Sequence, residues 1–303
     1  MGRSFWVLDN ITTLQQNIIF SLDNEPALFQ PKNTIRYRRP RGMPNTEIPN
    51  YPQPAVVIDY YLPEDFSESL LMEMLDDAGN VVNRFTNKED GLDESLSEQA
   101  LTDMGTNQTI YLVDDSLSTN AGLNRFRWTM RHFGAWHTSE GRRYQNGPMV
   151  KPGTYTVRLT AGDSVMAHQF ELQVDPRVLA GGTTLADISA QVDLQLEITE
   201  LLSSARRLED ALATEQEELE EIETDTGLSV QQRKRMESVY SVLSALRTAE
   251  GIYMEPMLTA QISYLFNMIN AADQAPGQEA ESRFAELRQQ FLALSAEIAE
   301  ADD

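Results

Sequence analysis

Two of the chain's three histidines stand close together: His132 and His137, with Glu140, give His-x4-His-x2-Glu. Three nitrogen and oxygen donors of this kind can hold zinc. The spacing puts them on no common helical face, so the expected setting is a loop, where ordinary packing explains such histidines without a metal. His168 has no evident partner in the sequence. The same stretch carries Phe133, Trp136, Arg142 and Tyr144, rings and a cation that could form a sugar-stacking surface. Against that, Trp128 suits a sheet core, with Trp136 covering one end of it. Calcium is the other candidate ion, because Asp76 with Asp77, Asp90 with Asp93 and Glu94, and Asp114 with Asp115 place hard oxygen donors in loops. None of these has the EF-hand spacing.

Other chemistries are excluded by composition. The chain has no cysteine, so disulfides, thiolate nucleophiles and sulfur-ligated zinc are ruled out. Gly162-Asp163-Ser164 superficially matches part of a lipase motif, but it falls in the turn of a hairpin, without a strand-to-helix elbow. There is no G-x-S-x-G, no phosphate-binding loop and no G-x-G-x-x-G. Carboxylate pairs are unavoidable among 47 acidic residues and carry no information about glycosidase geometry. The expectation is a chain with no catalytic residue and no bound cofactor.

The formal charge is −23 over 303 residues, unevenly spread. Residues 183–303 hold 24 Asp and Glu against 8 Lys and Arg, a net of −16. Such a surface repels phosphate backbones and anionic bilayers, which argues against nucleic acid as a partner. No apolar run approaches the roughly 20 residues of a membrane span. The one basic island, Lys32, Arg36, Arg38, Arg39 and Arg41, could contact an acidic partner or a polysaccharide, but is expected to lie against the protein's own acidic helices or in solvent.

These residues need elements to position them. Tyr155, Val157 and Leu159 alternate with Thr154, Thr156 and Arg158, and after the turn at Gly162 a second alternating run carries Phe170, Leu172 and Val174. This is a β-hairpin with one buried side. Further strands are expected at Ala55–Leu62, Leu70–Leu75, Val81–Phe85 and within Gly122–Arg131, with Lys88–Thr109 as a polar insertion. Short strands with regular turn signals fit an immunoglobulin-like sandwich. Seven prolines between Pro26 and Pro54 mark a linker. Residues 3–9, rich in β-formers, read as a strand that needs a partner from a longer parent.

Beyond Pro176 the apolar period changes to three and four. Thr184 with Asp187, and Ser229 with Gln232, read as capping boxes. Four narrow stripes follow: Leu194, Ile198, Leu201, Ala205, Leu208 and Leu212; Met236, Val239, Leu243 and Leu246; Leu258, Ile262, Leu265 and Ile269; Phe284, Leu287, Phe291, Leu294 and Ile298. None could stand alone in water, and together they predict an antiparallel four-helix bundle. The Glu run from Glu215 to Glu223 is expected to fray, because like charges one turn apart repel.

With these blocks in place, the chain resembles the C-terminal region of large secreted bacterial proteins of the BNR-repeat glycosyl hydrolase, or sortilin-like propeller, family. The resemblance rests on Gly2-Arg-Ser-Phe-Trp-Val-Leu-Asp9 as a closing propeller strand. It rests also on Gly122-Leu-Asn-Arg-Phe-x-Trp128 and Pro152-Gly-Thr-Tyr-Thr-Val-Arg-Leu159 as an FlgD-like immunoglobulin module, and on Tyr253-Met-Glu-Pro-Met-Leu-Thr-Ala-Gln-Ile-Ser-Tyr-Leu265 in a helical tail. Thr129-Met-Arg-His132 departs from the Trp-Asp-Leu-Arg run of the family, so no role for an acid at position 129 carries over. The hydrolase activity that the family name implies belongs to the propeller, which this chain lacks.

The expected architecture is therefore α+β in four parts. A residual propeller-type strand and short segment occupy 1–22, a Pro-rich linker 23–54, an FlgD-like immunoglobulin sandwich 55–178, and a four-helix bundle 183–303. The expected function is a non-catalytic interaction module of a secreted or periplasmic parent, docking on a propeller, another protein or a second copy of itself. The alternative is an accessory carbohydrate-binding part of a glycoside hydrolase, acting through the 132–146 loop.

Overall fold

The computed structural model describes residues 10–16, 25–38, 54–87, 116–139, 142 and 144–301. The expected strand at residues 3–9, Arg39 and Arg41 of the basic island, and the 88–109 insertion lie outside these. The chain divides into two compact units, a sheet unit ending at Leu179 and a helical unit from Ala180 onward. Residues Phe133–Pro148, which sit within the sheet region of the sequence, group with the helical unit. The protein is α+β, with strands and helices segregated along the chain.

Among the described residues the sheet unit holds β1 (Ala27–Leu28), β2 (Thr34–Arg36), β3 (Val56–Leu62), β4 (Leu70–Leu75), β5 (Val81–Thr86), β6 (Gly122–Trp128), β7 (Gly153–Ala161) and β8 (Ser164–Val174). They form two sheets, ordered β1-β3-β6 and β2-β8-β7-β4-β5. Every pairing is antiparallel except β2 with β8. Alternation decides the inner faces. Val56, Ile58, Tyr60, Leu62, Phe126 and Trp128 from the first sheet share one core with Leu70, Met72, Met74, Tyr155, Val157, Leu159, Phe170 and Leu172 from the second. Trp128 sits at its centre, with ring centroids 5.7 Å from Tyr155 and 6.2 Å from Phe170.

On the opposite face of each sheet a carboxylate is buried. Asp59 is only 3% exposed, and the residue opposite it in register is Arg125, whose guanidinium donates to both carboxylate oxygens at 2.7 and 2.9 Å. Thr13 donates a third hydrogen bond to Asp59, which holds the 10–16 segment over the sheet. Glu73 is paired with Arg158, its partner in register across β4 and β7, whose Nε and Nη2 both donate to the same carboxylate oxygen. A buried carboxylate without such a partner would be strongly destabilising.

The stretch expected to be linker contributes two strands. Arg36, at the end of β2, is fully buried and donates from Nε to the Val150 carbonyl at 2.6 Å. This member of the basic island is therefore out of solvent and bonded to the backbone of the sheet unit. The alternation of Thr34, Ile35 and Arg36 along an edge strand turns its side chain inward.

After the short α1 (Pro176–Ala180) come α2 (Leu185–Asp225), α3 (Val230–Leu246), α4 (Leu258–Ile269) and α5 (Gln278–Glu300). Both expected capping boxes are present, Thr184 with Asp187 and Ser229 with Gln232. The four stripes meet in one core that includes Ile198, Ala205, Val239, Leu246, Ile262, Leu287 and Ile298.

The acidic end of α2 differs from expectation. It stays helical to Asp225, and Leu219 is buried. Arg235 of α3 clasps Glu215 with two hydrogen bonds of 2.6 and 2.9 Å and also donates to the Ile298 carbonyl of α5. Tyr240 donates its hydroxyl to Glu220. Partners on α3 thus offset the repulsion that the sequence places along this run.

Replacing Thr184 by Ala removes the side-chain half of the α2 capping box and should cost about 1 kcal/mol. Thermal melts followed by circular dichroism measure it.

Candidate functional site

The aromatic loop of the sequence has a structural occupation. Gly134 donates its N–H to the Tyr144 carbonyl, and Tyr144 donates back to the Ala135 carbonyl at 3.0 Å. This pinch leaves no room for a side chain at residue 134, where a Cβ would lie 1.8 Å from the Gln145 oxygen. Tyr144 and Asn146 complete the turn in the left-handed region.

The folded loop packs on α2. Ala135 is part of the helical core, Trp136 donates its N–H to the Ser203 hydroxyl at 3.0 Å, and Arg206 donates to the Trp136 carbonyl at 3.1 Å. Burial lowers the Arg206 pKa, against the opposing pull of Glu209. The Arg207 guanidinium lies 5.8 Å from the centre of the Trp136 ring and donates to the Tyr144 hydroxyl at 3.3 Å. Phe133 meets Tyr144 edge to face at 6.3 Å. Three of the four residues expected to form a sugar surface, Phe133, Trp136 and Tyr144, are thus engaged with one another or with α2. Arg142 is exposed and donates its backbone N–H to Ser139.

The expected metal ligands are placed as follows. His137 accepts from the Ser139 N–H at Nδ1, closing a local turn. His132 belongs to the sheet unit and His137 to the helical unit, and Glu140 lies outside the described residues. Among the described residues no group of three or more His, Asp or Glu side chains could hold an ion. His168, which has no partner evident in the sequence, stands with Nε2 3.0 Å from the Leu28 carbonyl.

Of the calcium candidates only Asp76 and Asp77 are described. Asp76 accepts from the N–H groups of Ala78 and Asn80 and from the Asn80 side-chain amide, which ties its carboxylate into the β4–β5 turn. Burial raises its pKa, but the hydrogen bonds from Asn80, Ala78 and Gly79 together outweigh this and hold the group below the usual carboxylate value.

A cavity of about 760 Å³ opens on the helical unit between α4, the start of α5 and the segment joining them. Its walls include Tyr264, Leu265, Met268, Pro276, Ala280 and Arg283. Tyr264 is 67% and Met268 51% exposed, so its rim leaves large apolar surface in water. The fully buried Gln191 of α2 also lines it.

Gln191 begins a column of polar side chains one turn apart: Gln191, Gln195, Thr199 and Ser203. Gln191 donates to the Ile269 and Ala272 carbonyls at 2.6 and 2.5 Å, satisfying the C-terminal end of α4. Two carbonyl neighbours fix which end of the amide is nitrogen. Its Oε1 then remains a buried acceptor with no hydrogen bond among the described residues.

The cavity's signal was present in the sequence. Tyr264 and Met268 put apolar side chains outside the Leu258, Ile262, Leu265 and Ile269 stripe, so α4 carries more apolar surface than one seam uses. The buried column on α2 was likewise written as polar residues at every fourth position.

No protein-family model matches the chain, and no curated protein matches it. Among the described residues no helix is long and apolar enough to cross a membrane.

Two outcomes follow from this geometry. Gly134→Ala should destabilise the helical unit by about 1–3 kcal/mol through overpacking, read as a lower melting temperature. Asp76→Asn should lower stability at neutral pH. A depressed folded-state pKa stabilises above the unfolded value of about 3.9 and ceases to do so as pH falls through the folded one. The gap between variant and wild type in urea midpoints should therefore close in acid.

Proposed function

We propose that this chain is a non-catalytic interaction module, an immunoglobulin-like sandwich joined to an antiparallel four-helix bundle, which docks another protein on the α4–α5 groove. The sandwich reading is supported by strand order. The β1-β3-β6 sheet opposite β2-β8-β7-β4-β5 corresponds to the A-B-E and G-F-C arrangement, with the first edge divided between the sheets. Tyr155 adds a second support. Near the start of β7 its hydroxyl donates to the Lys151 carbonyl at 2.8 Å, four residues upstream, in the manner of a tyrosine corner. Burial pushes that hydroxyl far above its ordinary pKa. For the bundle, each of α2, α3, α4 and α5 touches the other three.

The observation that carries docking is the half-open apolar groove with Tyr264 and Met268 at its rim. Exposed apolar surface of this kind marks interaction sites. The carbohydrate alternative requires Phe133, Trp136 and Tyr144 as a platform, and their contacts with one another and with α2 weigh against it. Within the FlgD-like resemblance, the module is an accessory region of a secreted or periplasmic propeller protein.

Selection of a displayed peptide library on the immobilised chain tests this. Peptides should be enriched whose binding is lost in a Tyr264→Ser, Met268→Ser double variant and kept in Trp136→Ala. Polysaccharide retention that Trp136→Ala abolishes, or turnover of generic glycosides, would refute the proposal.

A further inference from the structure

We infer that the groove's occupant is an amphipathic helical segment with basic flanks. The inference rests on the docking reading and adds the chemistry of the partner. Charge is the first argument. Between residues 250 and 286 stand Glu250, Glu255, Asp273, Glu279, Glu281 and Glu286, against Arg283 alone. Arg283 is itself engaged, with Glu286 at 2.8 Å and with the Gln261 side-chain oxygen. An apolar trough in this acidic setting attracts a cationic segment and repels a second copy of a chain whose net charge is −23.

The second argument, independent of charge, is shape. The trough lies beside α4, whose 12 residues make a ridge of about 18 Å at 1.5 Å per residue. That is room for three turns of a helix laying down residues at i, i+3, i+4 and i+7. Apolar surface also continues along the chain, where Ile252 and Tyr253 stand 83% and 101% exposed just before Pro256 of the cavity wall. Tyr253 holds a left-handed backbone, φ 61°, an uncommon conformation for a bulky residue. A small molecule in the cavity would leave these side chains in water, whereas a helix offers enough length to reach them. Methionine at the rim suits adaptable recognition of such a surface.

The test uses fluorescence anisotropy on the full chain with three labelled 18-residue probes. One is an amphipathic helix of Leu, Trp and Lys, the second has every Lys replaced by Glu, and the third is a scramble of the first without an apolar stripe. The lysine helix should bind at least tenfold tighter than both others, weaken as salt rises, and lose at least tenfold affinity to the Tyr264→Ser, Met268→Ser variant. That variant keeps every charge, so the loss reads the apolar contact, and the probe comparison on the unaltered protein does not depend on the variant's folding. Equal or tighter binding of the glutamate helix overturns the basic partner while leaving docking intact, as does failure of both helices when library peptides still bind. Equal binding of the scramble, unaffected by the double variant, overturns docking as well. Sedimentation showing dimers that the double variant dissociates would identify a second copy as the occupant and overturn the inference.

Discussion

The polar column buried on α2, from Gln191 to Ser203, fixes that helix against its neighbours through the hydrogen bonds that its amide N–H groups and hydroxyls make. Gln191 takes up the carbonyl of Ile269, the last residue of α4, and that of Ala272 just beyond it, where a helix end otherwise leaves acceptors unsatisfied. Twelve residues along, Ser203 receives the Trp136 N–H and returns its own proton to the Thr199 carbonyl. The two contacts fix different things, the end of α4 in one case and the seat of the 133–148 loop in the other. Apolar packing alone would define neither, because leucine and isoleucine accept many offsets that a hydrogen bond does not.

The sheet unit uses charge in a comparable way. Asp59 with Arg125, and Glu73 with Arg158, are cross-strand partners in register. A slip of one residue would leave each carboxylate buried without its guanidinium, in addition to turning the apolar faces outward. Each pair therefore reinforces a register that the apolar alternation already specifies.

Most of the sheet and helix framework was legible in the sequence because period carries it. The β7–β8 hairpin, the strands from β3 to β6, both capping boxes and the four apolar stripes all follow from local chemistry at fixed spacing. The two strands in the Pro-rich stretch were not legible, since β1 and β2 are too short to show alternation and depend on edges offered by β3 and β8. The acidic end of α2 is not legible for a related reason, as repulsion is visible along one helix whereas Arg235 and Tyr240 answer it from another. The aromatic residues at 133–144 suggested a surface because sequence shows which rings are present, not what they rest on. The α4–α5 cavity had its own trace in Tyr264 and Met268, two apolar residues more than a single seam needs.

The loop between Gly134 and Tyr144 has a consequence for how the polypeptide could be divided. Residues 133–148 interrupt the stretch that builds the sheets, yet Ala135 contributes to the interior shared by the helices. Severing the backbone once, after Leu179, would not yield two self-sufficient halves. The C-terminal fragment would forfeit the groups that Ser203, Arg206 and Arg207 hold, and the N-terminal one would carry a stranded excursion of sixteen residues folded for a neighbour it no longer has. Gene fusion or exchange at that border would have to move both pieces together.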